Sequence, residues 1–136
     1  MSEANKKTIL VVDDEPDIRK LVGAMVSQSG YTAITADSGE HALKLYKNHG
    51  RPVELLITDV IQPGMSGPML ADKLTAIQPD LKVLYISGYD QTHLVQKYVV
   101  EKGHALLAKP FGVETLRAKV QELLEARQAI PTAKQS

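Results

Sequence analysis

The chain has 136 residues and no cysteine, and 16 basic residues balance 16 acidic ones to a formal net charge of +0. That length fits one compact domain and leaves little room for a second. The balanced charge offers no footprint for nucleic acid or an anionic membrane, and the missing thiols exclude disulfides, thiolate metal sites and thiol catalysis.

No apolar run approaches the ~18 residues needed to cross a bilayer, and the run after Lys6-Lys7 stops at Asp13, short of a signal-peptide core. The expectation is a cytoplasmic protein with no nucleic-acid partner and no membrane insertion. Short apolar runs alternate with segments of helical period, the pattern of repeated βα units on a parallel sheet. Residues 8–12 form the first apolar run, ending at Asp13-Asp14, and Ile18, Leu21, Val22, Met25 and Val26 then mark one stripe of a helix closed by Gly30. Residues 31–36 read as strand two, with Asp37-Ser38 as a cap and a helix running to His49 and Gly50.

Residues 53–58 read as strand three, followed by Asp59 and a turn-rich loop over 62–68. Leu70, Leu74 and Ile77 mark a helix before Pro79, and strand four is expected over 81–86, ahead of Ser87-Gly88. Leu94, Val95, Tyr98 and Val99 give a fourth helix with a narrow apolar face and weak anchoring, ended by Gly103. Strand five follows at 105–108 before Lys109-Pro110, and Val113, Leu116, Val120 and Leu123 repeat along a final helix. The expected division is a disordered N-terminus at 1–6, one domain over 7–127 and a frayed tail at 128–136. The fold expected is α/β: a doubly wound, five-stranded parallel sheet in the order 2-1-3-4-5 with helices on both faces.

In that order the topological switch lies between strands one and three, and ligands bind just outside their carboxyl ends. Asp13, Asp14 and Asp59 fall there. Two carboxylates ~4 Å apart repel by about 4 kcal/mol at an effective dielectric near 20, so three together either take up protons or hold a cation. Magnesium, which shares one or two carboxylates with a phosphoryl group, is the favoured cation. Attack of Asp59 on phosphorus requires the equatorial oxygens to be neutralised. Lys109 can pair with one, the Ser87 hydroxyl and Gly88 amide can take another, and the metal a third. Taken singly, each residue has an ordinary explanation: acids favour a helix start, Ser87 suits a strand-end turn, and Lys109 suits solvent.

The chain resembles the receiver domain of bacterial two-component response regulators over roughly residues 7–127. The matching segments are Ile9-Leu10-Val11-Val12-Asp13-Asp14-Glu15, Thr58-Asp59-Val60 leading to Pro63-Gly64-Met65-Ser66-Gly67, Ser87-Gly88 and Lys109-Pro110-Phe111. The resemblance implies a flavodoxin-like (βα)5 receiver fold in which Asp59 accepts a phosphoryl group from a partner histidine. It also implies that Asp14 binds magnesium directly, Asp13 acts through water, the Ile61 backbone carbonyl joins the metal, and the Lys109-Pro110 bond is cis. Two residues depart from the family pattern. Gln62 replaces the usual Met before the loop proline, and Leu106 replaces the Tyr or Phe that swings inward on phosphorylation. Tyr85, on the same side of strand four as Ser87, is the candidate substitute for that moving aromatic.

The leading expectation is a stand-alone receiver, not an independent enzyme, phosphorylated by a histidine kinase or histidine phosphotransfer protein. It would signal to a downstream protein through the face of helix four, strand five and helix five. A phosphorelay or phosphate-sink receiver, including one excised from a hybrid histidine kinase, is the near alternative. A magnesium phosphohydrolase of the haloacid dehalogenase type needs a second aspartate two residues after its nucleophile on strand one, and Asp13-Asp14-Glu15 lacks it. A flavodoxin-like nucleotide binder is disfavoured because an acidic first loop repels phosphate. A phosphorylation-independent adaptor would keep its partner after Asp59→Asn.

Overall fold

The structure, a computed structural model, describes the backbone of residues 6–88 and 92–133, with side chains at those positions except 92–95, 98 and 126–133. Five βα units follow one another: β1 (Thr8–Val12), α1 (Pro16–Gln28), β2 (Thr32–Ala36), α2 (Gly39–His49), β3 (Leu55–Asp59), α3 (Gly67–Ile77), β4 (Lys82–Ser87), α4 (Thr92–Lys102), β5 (Ala105–Ala108) and α5 (Val113–Ala133). All neighbouring strands are parallel, in the order β2-β1-β3-β4-β5. Central β1 and β3 are buried along their whole length, as expected of apolar runs covered on both faces, whereas edge strands β2 and β5 are only half-buried.

The sheet separates two apolar layers. Leu10, Val12, Leu56, Val83 and Tyr85 face α2, α3 and α4, packing with Ala42, Leu70, Leu74 and Val99. Ile9, Val11, Leu55, Ile57, Leu84 and Ile86 face α1 and α5, packing with Val22, Val26, Leu116, Val120 and Leu124. Alternation along each strand divides the residues this way. Local signals set the helix ends: Ser38 Oγ accepts from the His41 amide, Ser66 Oγ accepts from the Met69 amide, and Gly50 ends α2 in the left-handed region at φ 81°.

Several expected helix positions differ. Leu21 and Ile77 are 46% and 54% exposed. The buried face of α1 is centred on Val22 and Val26 and extends to Gly23, so Leu21 falls on its rim, while Ile77 is the last residue of α3. In α5 the residue continuing the Leu116, Val120 row is Leu124, one i+4 step further, and Leu123 is only half-buried. The helical backbone of α5 is described to Ala133, within the segment expected as a tail from 128. Ala126-Arg127-Gln128-Ala129 are good helix formers, and nothing before Pro131 interrupts them. The side chains of Leu94, Val95 and Tyr98, and residues 1–5 and 134–136, lie outside the described residues, while Val99 is buried as expected. Among the described residues no helix is long and apolar enough to cross a membrane.

Candidate functional site

The parallel sheet delivers the carboxyl ends of β1, β3, β4 and β5 to one edge. Asp13 follows β1 and is fixed by its backbone: its amide donates to the Ala36 carbonyl at 3.1 Å, and its carbonyl accepts from Arg19 Nη1 at 2.8 Å. Asp59 ends β3 opposite Ile86 of β4, and Ser87 is the next residue along. The Val60 amide donates to the Ile86 carbonyl at 3.0 Å, and the Lys109 amide to the Ser87 carbonyl at 2.8 Å, tying three strand ends together. The Lys109–Pro110 peptide is cis.

Asp13, Asp14 and Asp59 each offer a carboxylate oxygen, all within 4.8 Å of one another. Asp13 and Asp59 are 2% and 6% exposed, while Asp14 faces solvent. Lys109 Nζ stands 3.4 Å from Asp59 Oδ1 and 3.6 Å from Glu15 Oε1. Asp14, Glu15, Asp59, Ile61, Gly88 and Lys109 line an open cleft of about 240 Å³. Ser87, 1% exposed, closes β4 beneath it.

Burial is the first cause that pushes the Asp59 carboxyl up, to about 7; the hydrogen bond it donates to Asp13 when protonated and the Asp13 charge add to this, and Lys109 opposes it. Burial also raises Asp13, although the Glu15 amide, donating to Asp13 Oδ1 at 2.9 Å, partly offsets it. For Lys109 burial acts downward, yet the charges of Asp59, Asp13 and Glu15 outweigh it and hold the ammonium above its ordinary range. Such a cluster of oxygen donors, short of positive charge, fits a hard divalent cation.

Three features escaped the sequence reading. A Cβ at Gly67 would lie 2.1 Å from the Asp59 carbonyl oxygen, so the glycine allows α3 to start directly beneath the end of β3. Gln62 is 6% exposed, its Nε2 donating to the Met65 carbonyl at 3.3 Å and reaching Thr58 Oγ1 at 3.5 Å. Glu15 reaches Lys109, although the motif alone marks it only as a helix start. Tyr85 is fully buried between Thr58 of β3 and Leu106 of β5 in register, with its ring 5.7 Å from that of His104.

A larger groove of about 710 Å³ opens near the start of β3, between the ends of α2 and α3. It carries no comparable chemistry. The amide of Gln78 there is engaged by Tyr46 and the Val53 backbone, and the lining carries both signs of charge, Lys47 and Arg51 with Glu54 and Asp80.

Comparison with known proteins agrees with this geometry. The sensor kinase CckA of Brucella abortus is 35% identical over 119 residues, which are 87% of this chain and 12% of the kinase. The response regulator receiver protein CpdR of the same organism is 31% identical over 120 residues, 88% of this chain and 98% of that one. The crystal structure of the receiver domain from hybrid histidine kinase CckA superposes with a TM-score of 0.72 at 31% identity, covering 86% of this chain and 98% of that one. Residues 9–121 match the family model described as the response regulator receiver domain, and the chain belongs to that family of two-component signalling domains.

Proposed function

We propose that Asp59 accepts a phosphoryl group from a phosphorylated histidine of a kinase or phosphotransfer protein, with magnesium held by Asp13, Asp14, Asp59 and the Ile61 carbonyl. The observation that carries this reading is a buried carboxylate, Asp59, held 3.4 Å from an ammonium and next to two further carboxylates in one open cleft. An Asp59 oxygen forms a bond to phosphorus as the donor's P–N bond breaks, its electron pair leaving with the imidazole nitrogen. Bound magnesium supplies positive charge for the transferring oxygens. Lys109 takes a second oxygen, and the Ser87 hydroxyl with the Gly88 amide takes the third, in a pocket where glycine lets backbone come close.

The new charge at Asp59 biases β4 and its neighbours, with Tyr85 standing in for the aromatic missing at Leu106. The output face is that of α4, β5 and α5, read by a downstream protein. The protein works in the cytoplasm and shows no turnover beyond making and losing its own acyl phosphate. A second reading, a relay receiver carried by a hybrid histidine kinase, is favoured by the 35% identity to a segment of a sensor kinase.

Incubation with a phosphorylated histidine phosphotransfer protein and magnesium is expected to give acid-labile, hydroxylamine-sensitive label that chelator and Asp59→Ala both abolish. Label persisting in Asp59→Ala reassigns the acceptor. Sustained hydrolysis of a phosphomonoester sinks the reading in favour of a phosphohydrolase.

A further inference from the structure

Glu15 occupies the N-cap of α1, where a short side chain usually closes back onto the helix amides. Its side chain makes no capping hydrogen bond. Its own amide is already satisfied by Asp13 Oδ1 at 2.9 Å. The carboxylate lies on the cleft wall instead, with Oε1 3.6 Å from Lys109 Nζ, while Asp59 Oδ1 is 3.4 Å from the same nitrogen. One ammonium is shared between the acceptor and the outer wall.

The geometry points to Glu15 as a positioning residue that draws the Lys109 ammonium away from Asp59 and so weakens the pocket's hold on a phosphoryl group; this rests on Asp59 being the acceptor. Lysine is a compact charge on a flexible stem, so its place follows the local field, unlike the planar fork of arginine. The Glu15 side chain is 61% exposed and that of Lys109 30%, so water screens the pair and it adds little to folding. It still competes for the ammonium. Glu15 also adds negative charge beside Asp14 at the mouth of the cleft, which opposes the approach of a small anionic phosphoryl group. Both effects act in one direction: an intact Glu15 makes phosphoryl capture weaker and more dependent on salt.

The test titrates beryllofluoride into the magnesium-saturated full chain, followed by amide NMR shifts, at low and high salt. Glu15→Gln is expected to bind about threefold tighter than the wild type, the size expected of one screened charge pair. Its salt dependence should shrink. Glu15→Asp, which keeps the charge but is one methylene shorter, should fall between the two. In the metal-free protein, ¹⁵N relaxation should report a less mobile Lys109 ammonium in Glu15→Gln, held by Asp59 alone, whereas loss of a purely structural ion pair would leave it more mobile. Equal or weaker beryllofluoride binding by a folded Glu15→Gln, or an unchanged or more mobile Lys109 ammonium, overturns the positioning role. If the wild type binds no beryllofluoride, the acceptor reading fails, and the ammonium measurement alone then decides what Glu15 does.

Discussion

Gly67 meets Asp59 backbone to backbone: a Cβ at residue 67 would stand 2.1 Å from the Asp59 carbonyl oxygen and 3.2 Å from the Val60 Cα. The Gly67 amide also donates to the Val60 carbonyl at 2.9 Å, so α3 begins pressed against the end of β3. A flexible side chain can yield to such an intrusion, but strand backbone does so only by moving the carboxylate it carries. Gly67→Ala should therefore lower stability by about 1–3 kcal/mol, the usual cost of overpacking, and reduce phosphorylation of Asp59. Urea denaturation and a labelling rate measure the two effects; an alanine variant matching the wild type in both contradicts the close approach.

The raised Asp59 carboxyl has a pH signature. Burial first, then Asp13, lifts it from the ordinary 3.8 to about 7, so the metal-free folded chain holds a proton that the unfolded chain has released. Stability from this group is therefore fullest below about pH 4 and falls as pH rises towards about 7. Asp59→Asn should remove that fall, exceeding the wild type at pH 8 in chelator by on the order of 2–4 kcal/mol, with a smaller difference at pH 4.5. Denaturation at the two pH values tests it; a gap that widens towards acid shows the sign to be wrong.

Magnesium should stabilise the wild type by linkage, by about 2.7 kcal/mol when present at ~100 times its dissociation constant. Asp14→Asn should lose most of that gain. Thermal melts with and without the ion follow it, and an undiminished response in Asp14→Asn removes this residue from the ligand set.

If Lys109 holds the phosphoryl oxygens as proposed, Lys109→Ala should impair beryllofluoride binding by about tenfold, the order expected of a charge-assisted contact, while leaving magnesium affinity equal or tighter, because the ammonium repels the cation. Calorimetry separates the two ligands. A variant that loses magnesium first would show that Lys109 organises the acidic cluster instead.

Tyr85 is 0% exposed, so truncation to alanine removes a core ring at roughly 3–5 kcal/mol and confounds any signalling readout. Tyr85→Phe retains the ring between Thr58 and Leu106 and removes only the hydroxyl. It should fold with a loss near 1–2 kcal/mol and damp the phosphorylation-induced shifts in α4 and β5. Shifts of full amplitude in Tyr85→Phe would dismiss the hydroxyl from the switch.

The five strands, their order and the acids at their ends were legible along the chain because parallel strands buried on both faces leave continuous apolar runs, and right-handed crossovers permit few arrangements of them. Helical period was a blunter signal: it located α1, α3 and α5 but put Leu21, Ile77 and Leu123 deeper than they lie, since a repeat marks a stripe without marking its rim. Nothing local to Glu15 announces its approach to Lys109, and nothing local to Gly67 announces the Asp59 carbonyl; the switch point announced the crowding of Asp59 by Asp13, but not the burial that leads in raising its carboxyl. Residue types and their order along strands belong to the chain itself. Charge coupling, desolvation and steric exclusion depend on separations of a few ångströms between groups distant in sequence, and those separations exist only after the sheet has assembled.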